Sequence, residues 1–366
     1  MRTFLILAVV AATASVAHAY PQYQLSKEQT CLACHLSPTG GGLLNDNGVL
    51  TDEDEAKWGG DGSFLHGAAE LPEWLHLGGD FRIAAGASDR GGGLGPAAFP
   101  MQTEFHGVAT KGALSVVADL GFTIPQDGGS PLTVLMSRQH YLEWQQGEGG
   151  DGWYARAGRF MPTYGLRLAE HPAYTRRFGG APLFGETYGA SVGYVSAGAE
   201  FHLTGFARDR LRPSVEDGDG VAAYAEKRFG KVAVGAEARY ANGLDATRTQ
   251  GGVTSKLWLD GPQVLFQAEA QVVHQAFDAG TSRNQVVGYL MTSWFPAKSW
   301  LLDVGLGYYD QDVKVPQVDR DAAEVNLHWF PKTHIELILM GRLQTIAFGS
   351  GGANSGYGLL QFHYRM

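Results

Sequence analysis

Both cysteines of this 366-residue chain fall in one run, Cys31-Leu32-Ala33-Cys34-His35. That spacing is the attachment signature of a c-type haem. The two thiols add across the haem vinyl groups, and the adjacent histidine takes one axial face of the iron. Zinc is the competing use of a Cys/Cys/His group, but a structural zinc site takes four protein ligands and no third cysteine exists. A redox Cys-x-x-Cys is the other, and it expects a βαβ setting that the flanking residues do not offer. The motif therefore predicts one covalent haem c held by Cys31, Cys34 and His35, with His35 as the proximal iron ligand. The sixth ligand is open. After Met1 no methionine occurs until Met101, so His66, His76 and His106 are the candidates for bis-histidine coordination.

The surroundings of the motif set its compartment. Residues 1–19 read as a secretory leader, with Arg2, an apolar core over Phe4–Ala12 and a small-x-small cleavage site at Ala17-His18-Ala19. Residues 20–71 form a segment of low hydrophobicity that carries the haem motif. Ser26 is placed to cap a short helix over Lys27–Cys34. Leu36–Gly42 reads as a close-fitting loop whose three glycines suit a backbone pressed against a flat surface. Thr51, with Asp54 three residues on, is placed to start a second short helix. Some fifty residues are too few for a conventional core, so this segment depends on the rest of the chain. The formal net charge of −9 excludes a nucleic-acid partner, which calls for clustered basic side chains.

From Pro72 to Met366 the pattern changes to period two, the signature of strands with one apolar and one polar face. Leu114, Val116, Ala118, Leu120 and Phe122 alternate with polar or small residues, and Val264, Phe266, Ala268 and Ala270 alternate with Gln267, Glu269 and Gln271. Val325, Leu327 and Trp329 alternate with Glu324, Asn326 and His328. Charges sit deep inside the polar faces: Arg82, Glu104, Arg156, Glu200, Arg239 and Glu269 are examples. Tryptophans recur near segment ends, as at Trp74, Trp144, Trp153, Trp258, Trp294, Trp300 and Trp329. Such segments begin near residues 74, 101, 113, 132, 152, 186, 198, 221, 231, 252, 263, 284, 299, 322, 333 and 356. The expected fold is all-β, a transmembrane antiparallel barrel of about 16 strands over residues 72–366, with lipid outside, a polar lumen within and aromatic girdles.

A leader, a lone Cys-x-x-Cys-His and a downstream barrel together resemble the fused monohaem cytochrome c–porins of bacterial outer membranes, related to the outer-membrane iron oxidases. Gly158–Gly165 is similar to a strand-end segment of phosphate-selective-type porins. The resemblance implies outer-membrane electron transfer through the haem, with Fe(II) oxidation or extracellular electron uptake as its expected form. It implies a periplasmic electron carrier such as a soluble cytochrome c as partner, with an extracellular donor or acceptor. Asp209, Glu216, Asp217 and Asp219 offer oxygen ligands for a hard Fe(II) ion in an acidic loop. Two other functions fit the same residues. One is a haem-plugged or haem-gated porin for small solutes, its haem segment plugging, gating or merely stabilising the lumen, and the other is a soluble periplasmic cytochrome fused to a β-domain.

Overall fold

The computed structural model describes residues 23–89, 93–123, 134–146, 151–168, 172–183, 185–208, 218–346 and 354–366. Sixteen strands close into one antiparallel barrel in which every neighbour in sequence is a neighbour in space. They are β1 (Leu75–Asp89), β2 (Leu94–Lys111), β3 (Leu114–Thr123), β4 (Val134–Gln145), β5 (Gly152–Phe160), β6 (Thr187–Ser196), β7 (Ala199–Ala207) and β8 (Asp219–Phe229). The second half is β9 (Val232–Asn242), β10 (Ala246–Leu259), β11 (Val264–Phe277), β12 (Ser282–Ala297), β13 (Trp300–Asp310), β14 (Asp319–Lys332), β15 (Ile335–Ile346) and β16 (Asn354–Arg365). β1 pairs with β16 from Asp80↔Arg365 to Asp89↔Gly356. Closure leaves no edge, so the backbone polar groups are satisfied between strands, as a bilayer requires.

The alternation decides which face meets lipid. Val232 and Val234 on β9, Val253 and Leu257 on β10, and Leu339 and Leu343 on β15 are exposed. Their polar neighbours Arg239, Thr254, Lys256 and Glu336 are buried, because they point into a filled interior. Trp74, Trp144, Trp153 and Trp294 stand exposed at the end that carries the short turns, and Tyr240 and Tyr308 towards the other. These form the two aromatic belts of a membrane barrel. Trp258 departs from its expected girdle position. It faces inward, 3% exposed, within an apolar cluster.

Two strands run further than the sequence pattern suggests. β2 starts at Leu94 rather than near 101, because Pro96 and Pro100 read as breakers yet pair with Ala87 and Ile83. β10 starts at Ala246, where Thr247, Arg248 and Thr249 mask the alternation.

Ahead of the barrel, the chain forms α1 (Tyr23–Ser26), a 3-10 turn at Cys31–Ala33, α2 (Asp46–Glu55) and a second such turn at Phe64–Gly67. The helix expected over Lys27–Cys34 is broken, since Glu28 adopts a positive φ of 54° that no helix accommodates. The cap of α2 is Asn45, whose side chain accepts from Gly48 N at 3.0 Å. Thr51 instead sits mid-helix and donates to Asn47 O at 2.8 Å. A last helix, α3 (Tyr174–Gly179), belongs to the β5–β6 connection.

Candidate functional site

Residues 23–68 sit in the mouth of the barrel at the short-turn end. Leu25 is fully buried among Ala233, Trp258, Leu265, Phe295, Leu301 and Phe330, inward-facing residues from the turn ends of β9 to β14. Full burial of such a side chain contributes about 1.5–3 kcal/mol. Polar ties surround it. Lys256 Nζ donates to Gln24 Oε1 at 2.9 Å, Lys231 Nζ to Ser26 O at 2.9 Å, and Ser299 Oγ to Glu55 O at 2.7 Å. Arg365 reaches Asp52 Oδ1 at 2.9 Å. The backbone of Lys57 and Trp58 donates to Phe330 O and Pro331 O, both at 3.1 Å. Buried apolar and hydrogen-bonded contacts together fix this segment as a plug.

Within the plug, Cys31, Cys34 and His35 share one tight turn, with His35 N donating to Cys31 O at 2.9 Å. Asn45 Nδ2 and Asn47 Nδ2 cap its carbonyls Leu32 O and Ala33 O, each at 2.7 Å. α2 lies so close that a Cβ on Gly48 would stand 2.1 Å from Cys34 O. Burial pushes both thiols above their usual range. It also pushes the His35 imidazole down to about 4, with the Arg365 charge adding to the effect. Gly48→Val is expected to prise α2 off the turn at a cost of about 1–3 kcal/mol. Limited proteolysis in detergent should then cut residues 23–68 about tenfold faster, since cleavage follows the opened population. An unchanged cleavage rate would mean that this packing does not hold the plug.

From the opposite side, the β5–β6 connection folds into the lumen. Gly165, at φ +60°, lies where a Cβ would meet Glu269 Oε1 at 2.5 Å and Glu237 Oε2 at 2.8 Å. Leu166 N donates to Glu269 Oε2 at 2.9 Å. Leu166, Leu168 and Ala173 pack on Tyr289 and Met291, and Tyr174 on Val273, Val287 and Tyr309. A cavity of about 490 Å³ remains between plug and loop, lined by Cys31, His35, Gly41, Tyr141, Arg167 and Met291 among others. Arg156 bridges the two sides, donating to Thr39 Oγ1 of the plug at 3.3 Å and Thr163 Oγ1 of the loop at 3.1 Å.

Charge pairs continue around the wall. Glu200 takes Arg167 from the loop and Arg228 from β8 at 2.9 Å. Glu226 pairs with Arg228 at 2.9 Å and with Lys256 at 2.8 Å. Lys256 holds Gln24, so loop, wall and plug form one connected network. Of the lumen charges expected from sequence, Glu104 pairs with Arg138, while Arg82 and Arg239 lie on β1 and β9. Sequence reading missed the loop residue Arg167 and the wall residues Arg228 and Lys256. Arg228 shares the inward parity of Glu226 on β8, and Lys256 that of the buried Thr254 on β10, so both were legible on that ground.

The candidate distal ligands lie apart from Cys31, Cys34 and His35; none of them lines the cavity. His66 is exposed on the plug rim, against the His334 ring at 4.4 Å and Tyr364 OH at 3.1 Å. His76 stands half-buried near the start of β1. His106 has both ring nitrogens engaged, Nδ1 with Asp119 at 2.8 Å and Nε2 with Asp80 at 2.9 Å. Asp209, Glu216 and Asp217 lie outside the described residues, and Asp219 accepts from Arg208 N at 2.7 Å.

No family model matches the chain, and no curated protein matches it. Solved structures do. The outer-membrane protein OmpT of Vibrio cholerae superposes with a TM-score of 0.63 at 10% identity, over 81% of this chain and 99% of that one. OmpF of Salmonella typhi gives 0.60 at 10%, over 80% and 97%, and an anion-selective porin of Comamonas acidovorans 0.56 at 13%, over 80% and 99%. At such identities the likeness shows the fold, that of a sixteen-stranded outer-membrane barrel.

These findings correct the sequence expectation. Among the described residues no three His, Cys, Asp or Glu side chains converge as metal ligands, and the likenesses are to porins. The cytochrome–porin resemblance, the covalent haem c, and the electron-transfer and iron-oxidase functions drawn from it are overturned. The physical reason lies in locality. Cys31–His35 is a five-residue signal, whereas a ligand set is completed across the fold, and His106 is committed to carboxylates there.

Proposed function

We propose that this chain is an outer-membrane channel for small solutes whose passage is limited by its own N-terminal plug. The observation that carries the reading is the seating of residues 23–68 inside the mouth of a polar, charge-lined barrel, through Leu25, Gln24 and Asp52. Both barrel ends of the chain and the short turns, such as 230–231 and 333–334, lie at the plugged end. In outer-membrane barrels the short turns face the periplasm, so the plug faces the periplasm and the inward loop faces the cell exterior. Proteoliposomes containing the full-length protein should swell in isotonic arabinose or sodium acetate, more slowly than with an unplugged general porin. No swelling with either solute would sink the channel reading.

A further inference from the structure

The loop-side face of the constriction carries a cluster of arginines. Arg177 is on α3, Arg248 on β10, Arg283 on β12 and Arg320 on β14. The last three share the inward parity of the buried Gln250, Gln285 and Ala322, and all four retain solvent exposure. Arg177, Arg248 and Arg320 gather at one aromatic pair, and Arg283 stands over the neighbouring Phe277 ring at 5.3 Å. Phe178 stacks on Tyr309 with ring centroids 3.9 Å apart and planes 9° from parallel. The Arg177 and Arg320 guanidinium carbons lie 5.2 and 5.8 Å from the Phe178 ring. Arg248 donates to Phe178 O at 2.9 Å, and Arg283 donates to Gln275 Oε1 at 3.0 and 2.7 Å.

Among the described residues no ion pair engages Arg177, Arg283 or Arg320. Arg320 Nε is buried without a hydrogen-bond partner. The inward carboxylate nearby, Glu324, is taken by Arg342 at 2.6 Å, whereas Asp319 and Asp321 alternate with Arg320 and fall on the outward parity. An aromatic platform holds a guanidinium by its face and leaves its N–H edge free, the edge that binds carboxylate or phosphate in bidentate fashion. The same positive surface raises the local concentration of anions at an entrance.

We infer that Arg177, Arg283 and Arg320, beside the Phe178–Tyr309 pair that Arg248 helps to hold, form a binding site for a small oxyanion at the outer entrance of the lumen. Carboxylate and phosphate share the chemistry the site recognises. The site deepens the channel reading by fixing the charge class of its solute, yet its existence does not require conduction.

Equilibrium dialysis of the detergent-solubilised full-length protein against inorganic phosphate and, separately, benzoate tests it. Saturable binding of either anion is expected, at one per chain. Arg177→Gln/Arg320→Gln should weaken it about tenfold or more, as loss of charge-assisted hydrogen bonds does. Arg177→Lys/Arg320→Lys, which keeps the charge, should recover part of it, and heat-modifiable gel mobility verifies that each variant is folded. No saturable binding of either anion, or binding equal in wild type and the glutamine variant, overturns the inference. Binding without solute uptake would sink the channel reading and leave this site standing; uptake without binding would do the reverse.

Discussion

Asp80→Ala should lower the stability of the barrel by about 3–5 kcal/mol, the cost of removing one partner from a buried ion pair. Asp80 is the carboxylate at the seam where the first and last strands meet. It takes His106 of β2 at 2.9 Å and His363 of β16 at 2.6 Å. The chain of contacts extends in both directions. His106 reaches Asp119 of β3 at 2.8 Å, and His363 reaches Glu336 of β15 at 2.7 Å. Glu336 also takes His328 of β14 at 2.7 Å, which reaches Asp303 of β13 at 3.2 Å. Four carboxylates and three imidazoles thus alternate across seven adjacent strands. His106 and His363 each hold a carboxylate within hydrogen-bond distance of both ring nitrogens, and His328 holds Glu336 on Nδ1 with Asp303 3.2 Å from its Nε2. Removing Asp80 breaks the chain and leaves two buried imidazoles, His106 and His363, half-partnered. The midpoint temperature of heat-modifiable gel mobility reads the effect directly. A midpoint equal to wild type would show that the seam is held by backbone pairing alone.

Glu200→Ala is the second substitution with a large expected effect. It strips the carboxylate from Arg167 and Arg228 at once, leaving two buried guanidinium groups to compete for Glu226, again a loss of about 3–5 kcal/mol. Its consequence differs from that at Asp80, because Arg167 belongs to the inward loop. With Glu200 gone, the loop retains Gly165 and Leu166 against Glu269 and keeps on β7 only the 3.5 Å contact of Arg167 Nη1 with His202 Nε2. Arg167→Ala should cost less, since it removes the cation together with its desolvation. The double variant should cost less than the two singles summed, as expected for residues in one network. Strict additivity in thermal midpoints would show that Arg167 and Glu200 do not act on each other.

Much of the barrel was legible because lipid outside and water inside impose the strictest form of alternation. Val264–Val272 and Ala323–Phe330 display it without interruption, and their strands start within a few residues of the expected positions. Legibility fell where a residue served a partner distant in sequence. Trp258 reads as an interfacial girdle residue, yet it turns inward to bury Leu25, more than two hundred residues earlier. His106 reads as an available imidazole, and only the pairing of β1, β2 and β3 brings Asp80 and Asp119 to it. The Cys31–His35 run was over-read for the converse reason. Its spacing reports how a turn is built, here one clasped by Asn45, Asn47 and Gly48, and does not report which groups the fold brings opposite it. Of the arginines at the outer entrance, Arg248, Arg283 and Arg320 were hidden in polar strand ends that resemble loops, and Arg177 in the long β5–β6 connection.

Residues 23–68, seated in the mouth of the barrel, should restrict its conductance. Planar-bilayer recordings of the full-length protein and its Leu25→Asp variant test it most directly. A carboxylate cannot be buried unpaired in the patch formed by Trp258, Phe295 and Phe330 without a large desolvation cost, so the variant should release the plug while leaving the strands intact. Small, infrequent current steps are expected from the wild type and steps several-fold larger from Leu25→Asp. Equal currents from the two proteins, or none from either, would contradict it.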